Sequence, residues 1–115
     1  NIHAGKYAIY INNRITQESY IKHGLKDSLW VEYQENGERR ETPYHKGAID
    51  GYIIEYYDNN IIKKRAVVEE SNLIYRETYS KSGVIQMKEY FRKNKAYKIG
   101  RYNKKGKLIE ERTID

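Results

Sequence analysis

The chain has 115 residues, of which 33% are charged, with no cysteine and a formal net charge of +6. This composition excludes disulfide bonds and thiolate metal sites, and no apolar run approaches the roughly 18 residues that span a bilayer. Thirteen tyrosines and many isoleucines argue against disorder, because disordered chains are poor in aromatic and β-branched residues.

The sequence begins at Asn1, and its one methionine is Met87. We therefore expect that the original start was removed by processing or truncation. A cytoplasmic and an exported location both remain open, as do an upstream signal peptide and further repeats before residue 1.

A 23-residue repeat first shows in the turn residues. Asn36-Gly37 is typical of a type I′ hairpin turn, which needs positive φ at both central residues. Steps of 23 from this pair lead to Asn13-Arg14, Asn59-Asn60, Ser82-Gly83 and Lys105-Gly106. Four of the five pairs therefore carry Asn or Gly as their second residue.

Every repeat has a tyrosine four residues before the second residue of this turn pair. The five are Tyr10, Tyr33, Tyr56, Tyr79 and Tyr102. In an antiparallel meander, equivalent residues lie two strands apart, about 10 Å at a strand spacing of about 4.8 Å. The pattern predicts a structural tyrosine ladder on one face of a sheet, contributing most of a thin core.

A second turn is predicted between successive hairpins. Gly24 to Ser28 aligns with Gly47 to Gly51, and Asp before a small residue is typical of turns. The fourth and fifth units lack this pattern. We predict an all-β fold, a single-layer elongated antiparallel meander of five 23-residue β-hairpin repeats in one domain. The units are 1–23, 24–46, 47–69, 70–92 and 93–115.

These residues resemble the MORN-type repeat family, in the bacterial variant that is described as antitoxin-like. The resemblance is clearest in residues 24–37, with Trp30, Glu32 and Tyr33, and in residues 47–59. It implies a twisted single-layer sheet. It also implies one of three roles: a protein-interaction module, a lipid binder, or an antitoxin.

Motifs for catalysis and for cofactor or metal binding are missing from the sequence. There is no nucleophile elbow, phosphate loop or paired metal-binding histidine, and His3, His23 and His45 fall at unrelated positions. Glu32 and Glu55 share a repeat position, but we expect solvated carboxylates on a sheet surface rather than an acid–base pair. The sequence predicts a protein that is not an enzyme and has no cofactor.

Interaction residues are predicted from aromatic and basic side chains outside the ladder. Residues 1–57 carry seven basic and eight acidic residues, whereas residues 58–115 carry fifteen and eight. Basic residues interleaved with aromatics are typical of nucleic-acid binding, but lysines also protect sheet edges from aggregation. The candidate surface comprises Trp30, Tyr52, Tyr57, Tyr75, Tyr97, Lys88, Arg92, Lys95 and Arg101.

Three functions follow as hypotheses. The first is a non-catalytic module for protein–protein interaction or scaffolding, whose partner could be acidic. The second is an antitoxin or immunity protein that neutralises a toxin. The third is electrostatic binding of nucleic acid or an anionic membrane through the basic C-terminal half. The edge strands near 7–12 and 108–114 could also pair with another copy of the chain.

Overall fold

The computed structural model describes residues 4–114 and contains eleven β-strands. Their bounds are β1 Ala4–Ile11, β2 Arg14–Lys22, β3 Leu25–Tyr33, β4 Arg39–His45, β5 Ala48–Ile49, β6 Gly51–Tyr56, β7 Ile62–Glu69, β8 Asn72–Tyr79, β9 Ile85–Arg92, β10 Lys95–Tyr102 and β11 Leu108–Thr113. Hairpins 1 to 5 are β1–β2, β3–β4, β6–β7, β8–β9 and β10–β11. All neighbouring strands pair antiparallel.

One open sheet contains every strand, in chain order from β1 to β11, with the short β5 paired beside β4. Its extents are 52 × 31 × 16 Å, which is the shape of a single layer. Among the described residues, Ala66 and Val68 are the buried apolar side chains. The predicted elongated, single-layer antiparallel meander is confirmed, and both of its faces meet solvent.

The position of the two-residue turns differs from the prediction. At Asn36-Gly37 only the glycine has positive φ, at 88°, so this pair does not form a type I′ turn. Turns with positive φ at both residues occur instead at Asn12-Asn13, His23-Gly24, Lys46-Gly47, Glu70-Ser71 and Lys93-Asn94. The fourth and fifth units therefore begin with this turn, although their sequence lacks the expected glycine.

Hairpins 2 to 5 close instead through five-residue loops, at 34–38, 57–61, 80–84 and 103–107. In each loop the first residue donates its N–H to the carbonyl of the last, at 2.8–2.9 Å. The fourth residue has positive φ and is Gly37, Asn60, Gly83 or Gly106. Asn or Gly at this position supports a type I turn followed by a left-handed residue.

The predicted second turns at Asp27-Ser28 and Asp50-Gly51 are irregularities within the sheet. Ser28 lies inside β3 with φ of 60°, beside a register shift between β2 and β3. Gly51 starts β6 with φ of 117°. The small residue after Asp allows a bulge rather than a chain reversal, because a bulge also needs an unusual backbone angle.

Side chains alternate between two faces of the sheet. We call the face that carries Tyr33, Tyr56, Tyr79 and Tyr102 the ladder face, and the other the opposite face. Cross-strand pairing places residues on a common face, and Trp30 pairs with Thr42 on the opposite one. A register shift of one residue moves a side chain from one face to the other. Each bulge therefore determines which side chains of a strand lie on the ladder face.

Candidate interaction surface

The ladder tyrosines of hairpins 2 and 3 reach carboxylates of the preceding hairpin. The hydroxyl of Tyr33 donates to Oε1 of Glu18 at 2.6 Å, and that of Tyr56 donates to Oε1 of Glu41 at 3.3 Å. The bond to Glu18, with burial, raises the pKa of Tyr33, and the same bond lowers the pKa of Glu18. These tyrosines therefore stay neutral and tie successive hairpins together.

The ladder tyrosine of hairpin 4 uses an acceptor in its own strand. Glu77 is 7% exposed and accepts hydrogen bonds from Tyr75 at 2.8 Å and Tyr79 at 2.9 Å. Arg65 of β7 adds a 2.8 Å ion pair to the same carboxylate. Burial acts to raise the pKa of Glu77, but the two tyrosines and Arg65 outweigh it and lower the pKa overall.

Two residue differences and a bulge accompany the change of acceptor. Glu77 stands where hairpin 3 has Ile54, and Lys64 stands where hairpin 2 has Glu41. In hairpin 2, Glu32 pairs with Arg40, eight residues later. In hairpin 3, Glu55 pairs with Lys64, nine residues later, because the register shifts by one beside Tyr56. Lys64, the repeat equivalent of Glu41, therefore turns to the opposite face, and Arg65 points to the ladder face instead. Hairpins 4 and 5 have the same shift.

The ladder tyrosines of hairpins 1 and 5, Tyr10 and Tyr102, have fewer stabilising contacts than the other three. Tyr10 is 63% exposed. In hairpin 5, Gly100 takes the place of Glu77, and the ring of Tyr102 lies over it without a carboxylate acceptor among the described residues. The ammonium of Lys88 lies 5.8 Å from the ring of Tyr102.

A second row of apolar side chains crosses the ladder face, and we call it the aromatic stripe. Cross-strand pairs connect Leu29 to Pro43, Tyr52 to Val67, Val67 to Tyr75, and Tyr75 to Tyr90. Tyr20 lies beside Leu29 at one end, and the ring of Tyr97 lies 6.4 Å from that of Tyr90 at the other. The stripe therefore consists of Tyr20, Leu29, Pro43, Tyr52, Val67, Tyr75, Tyr90 and Tyr97.

The stripe is exposed at its N-terminal end and bordered by cations towards its C-terminal end. Tyr20 and Tyr52 are 54% and 52% exposed. The guanidinium of Arg92 lies 4.4 Å from the ring of Tyr97, and the ammonium of Lys98 lies 5.4 Å from that of Tyr90. Eight strands at about 4.8 Å make the stripe roughly 34 Å long, which is long enough for an extended contact.

The predicted contact residues divide between several locations. Tyr52, Tyr75 and Tyr97 belong to the stripe, and Lys88 and Arg92 lie beside it on the ladder face. Trp30 and Arg101 are on the opposite face, Tyr57 lies between two hairpin loops, and Lys95 is exposed at the start of β10. The prediction missed Tyr20, Leu29, Pro43, Val67 and Tyr90. The 23-residue step was an available signal, because Leu29 is the repeat equivalent of Tyr52. Tyr20 is likewise the equivalent of Pro43, and Val67 that of Tyr90.

The opposite face carries a Trp30 cluster and paired charges. Trp30 packs against Tyr7 at 6.1 Å and Tyr44 at 5.8 Å between ring centroids, with Lys26 at 4.1 Å. Glu32 pairs with Arg40 at 3.2 Å. This ion pair fits the expectation of a surface carboxylate at Glu32.

Metal-binding geometry is not found in residues 4–114. No group of three His, Asp or Glu side chains converges there. His23 occupies a turn, Nδ1 of His45 lies 3.8 Å from Asp27, and His3 is outside the described residues. Over the same residues, no helix has the length and apolar character needed to cross a membrane.

Comparison with known proteins gives no family assignment. No protein-family model matches the chain, and no curated protein matches it in sequence. Among solved structures it is similar to TarM, with 11% identity and a TM-score of 0.35, over 92% of this chain and 19% of the TarM chain. The chain thus spans about a fifth of the length of TarM, and a likeness at this level carries no functional argument.

Proposed function

We propose that the chain is a non-catalytic MORN-like repeat module that binds a protein partner through the aromatic stripe. The observation that carries this proposal is a row of apolar side chains across eight strands, on a sheet that has no second layer among the described residues. Exposed apolar surface of this extent, rimmed by polar groups, is characteristic of interaction sites. Tyrosine is also among the residues that contribute most to binding energy.

The charge around the stripe favours a partner with acidic groups at one end. The guanidinium of Arg92 borders the ring of Tyr97, and Lys88 lies on the same face. Charge complementarity of this kind accelerates association and fixes orientation more than it adds affinity. We therefore expect apolar contact along the stripe and acidic contact beside hairpin 5.

Binding of nucleic acid or an anionic membrane is the second candidate, favoured by the basic excess after residue 57. The basic side chains are divided between the faces, however, and six of them form ion pairs: Lys63, Arg65, Arg76, Lys81, Lys98 and Arg101. Lys98 pairs with Glu111 at 3.2 Å and Arg101 pairs with Glu110 at 3.2 Å. These ion pairs and the division between faces argue against one continuous basic patch that could bind a polyanion.

The test is affinity capture from nuclease-treated lysate of the source cells, with the wild type and two matched variants. Tyr20→Ser with Tyr52→Ser removes the two most exposed rings of the stripe. Tyr10→Ser removes a ring of similar exposure outside the stripe. We expect a stoichiometric protein that withstands high salt and is lost with the double variant but retained with Tyr10→Ser.

Two other outcomes would contradict the proposal. Equal capture by all three proteins would place the interface elsewhere. Recovery of only salt-sensitive and nuclease-sensitive material would favour polyanion binding, since each phosphate contact contributes steeply to the salt dependence. If the captured protein is a toxin that the chain neutralises, the module is an antitoxin.

A further inference from the structure

Successive hairpin loops on one side of the sheet lie next to each other, and the seams between them differ. We call the contact between loops 57–61 and 80–84 the closed seam, and that between loops 80–84 and 103–107 the open seam. Because each residue of the closed seam has an equivalent 23 residues later, the two can be compared position by position.

The closed seam is filled by side chains of loop 57–61. The hydroxyl of Tyr57 donates to the carbonyl oxygen of Tyr79 at 2.7 Å, and Nδ2 of Asn59 donates to that of Lys81 at 3.0 Å. Asp58 forms a 2.9 Å ion pair with Lys81, which raises the pKa of Lys81. An aromatic ring, an amide and a carboxylate together join the two loops.

The open seam lacks all three of these groups. Ser80 and Ser82 stand where Tyr57 and Asn59 are, and their hydroxyls bond each other at 2.9 Å. Lys81 replaces Asp58. Among the described residues, no side-chain hydrogen bond or ion pair joins loop 80–84 to loop 103–107.

A groove results from these shorter side chains. Its volume is about 360 Å³, within the range of about 300–1,000 Å³ that is common for ligand sites. Its lining is Ser80, Ser82, Val84, Gln86, Tyr102, Asn103 and Lys104. By equivalence with Tyr79 and Lys81, the carbonyl oxygens of Tyr102 and Lys104 are the acceptors that Tyr57 and Asn59 use in the closed seam.

We infer that the open seam is a binding site for a tyrosine side chain of a protein partner, flanked by acidic residues. The ring would occupy the place of Tyr57, with its hydroxyl donating to Tyr102, and an adjacent amide would donate to Lys104. An acidic flank is favoured because Lys104 is the equivalent of Lys81, which pairs with Asp58 in the closed seam, and the open seam has no carboxylate at the position of Asp58. The inference rests on the proposed function only in naming a protein as the source of the tyrosine.

Three short peptides test the site without any partner protein. We would follow the backbone amides of the intact chain by NMR while adding acetyl-Asp-Tyr-Asp-amide, acetyl-Asp-Phe-Asp-amide or acetyl-Lys-Tyr-Lys-amide. We expect saturable shifts in residues 80–84 and 103–107 with the first peptide, at a dissociation constant on the order of millimolar for so small a ligand. The other two should bind at least about fivefold more weakly, since each loses a polar contact.

Variants of the seam provide the matched controls. Ser80→Tyr places the ring within the chain itself and should abolish the shifts while raising the melting temperature. Ser80→Ala keeps the groove open and should retain binding, so it is informative even if Ser80→Tyr misfolds. Tyr57→Ser should open the closed seam and add a second set of shifts in residues 57–61.

Absence of saturable shifts with the first peptide would overturn the inference, and so would equal binding to wild type and Ser80→Tyr. Either failure leaves the stripe variants to decide the proposed function separately. Conversely, the peptide could bind at the seam while the Tyr20→Ser, Tyr52→Ser double variant captures the partner as well as the wild type. That result would support the seam site and show that the stripe is not part of the interface.

Discussion

Tyr56 and Tyr79 occupy the same repeat position, yet they find their carboxylates in different places. Tyr56 bonds Glu41 of the preceding hairpin, whereas Tyr79 bonds Glu77 two residues away in its own strand. Glu77 stands where the strand of Tyr56 has Ile54, and Lys64 stands where Glu41 does. The extra residue in the second strand of hairpin 3 then turns Lys64 away and places Arg65 opposite Glu77. After a single bulge, residues at the same repeat position therefore no longer lie on the same face of the sheet.

The largest effect should come from removing the ladder ring in the middle of the sheet. Tyr56→Ala loses a half-buried ring, its bond to Glu41 and the guanidinium of Arg39, which lies 3.9 Å from the ring centroid. We expect a loss of about 3 kcal/mol in unfolding free energy. Tyr102→Ala at hairpin 5 should cost about half as much, because Tyr102 has no carboxylate acceptor among the described residues and the ammonium of Lys88 lies 5.8 Å from its ring.

Chemical denaturation of both variants measures this difference. Equal shifts of the midpoint would argue against a linear stack in which each hairpin is stabilised by its neighbours. Tyr10→Ala, at the exposed end, provides the low reference value.

The second-largest effect should distinguish Glu77, an acceptor in the same strand as its tyrosines, from Glu18, an acceptor in the preceding hairpin. Glu77→Gln keeps the shape of the side chain but loses its charge, and three donors converge on this almost buried group. We expect a cost of about 2 kcal/mol. Glu18→Gln, whose carboxylate is more exposed and bonds one tyrosine, should cost less than Glu77→Gln. A larger loss for Glu18→Gln would reverse the order of importance of the two arrangements.

A smaller effect is expected in acid. The pKa of Glu77 is lower in the folded chain than its ordinary value of 4.5, so the unfolded chain takes up a proton first as the pH falls. This stabilisation is complete above the unfolded value and is lost as the pH falls from about 4.5 through the folded pKa. Unfolding free energies of wild type and Glu77→Gln, measured from pH 7 to pH 3, should converge. If the two curves of unfolding free energy against pH stay parallel, Glu77 is not the carboxylate whose protonation destabilises the fold.

The smallest effect should be a gain in hairpin 5. A Cβ at Gly100 would lie 3.4 Å from a methyl of Leu108 and 3.8 Å from the ring of Tyr102. These are ordinary contacts, and Ala restricts the unfolded chain more than Gly does. We expect Gly100→Ala to stabilise by about 0.5 kcal/mol. Gly106→Ala, at φ of 79°, should destabilise in the same thermal melting experiment.

Much of the fold could be predicted from the sequence because the signals are local. One tyrosine per repeat and regularly spaced Asn and Gly indicate strands and reversals at a fixed interval. The turn types were wrong, however, because a repeat offers two reversals and Asn36-Gly37 suits either a two-residue turn or the longer loop observed. Glu70-Ser71 carries no glycine, so the turn there depends on the pairing of β7 with β8.

The candidate surface was less predictable than the fold. Tyr52 and Tyr97 were identified because they are aromatic, but Leu29 and Pro43 join the stripe through pairing across strands. The face of a residue depends on every bulge between it and the turn, and no single residue type marks a bulge. Lys63, opposite no residue in β6, could not be distinguished in the sequence from its paired neighbours.

The bulge of hairpin 3 also bears on how such an array could lengthen by tandem duplication. A copy of hairpin 4 would bring both Glu77 and Tyr79, so its buried acid would arrive with two of its donors. A copy of hairpin 2 would bring Tyr33 without Glu18 and would depend on the hairpin inserted before it. Lengthening of the array by copying hairpin 4 is therefore more self-sufficient than lengthening by copying hairpin 2.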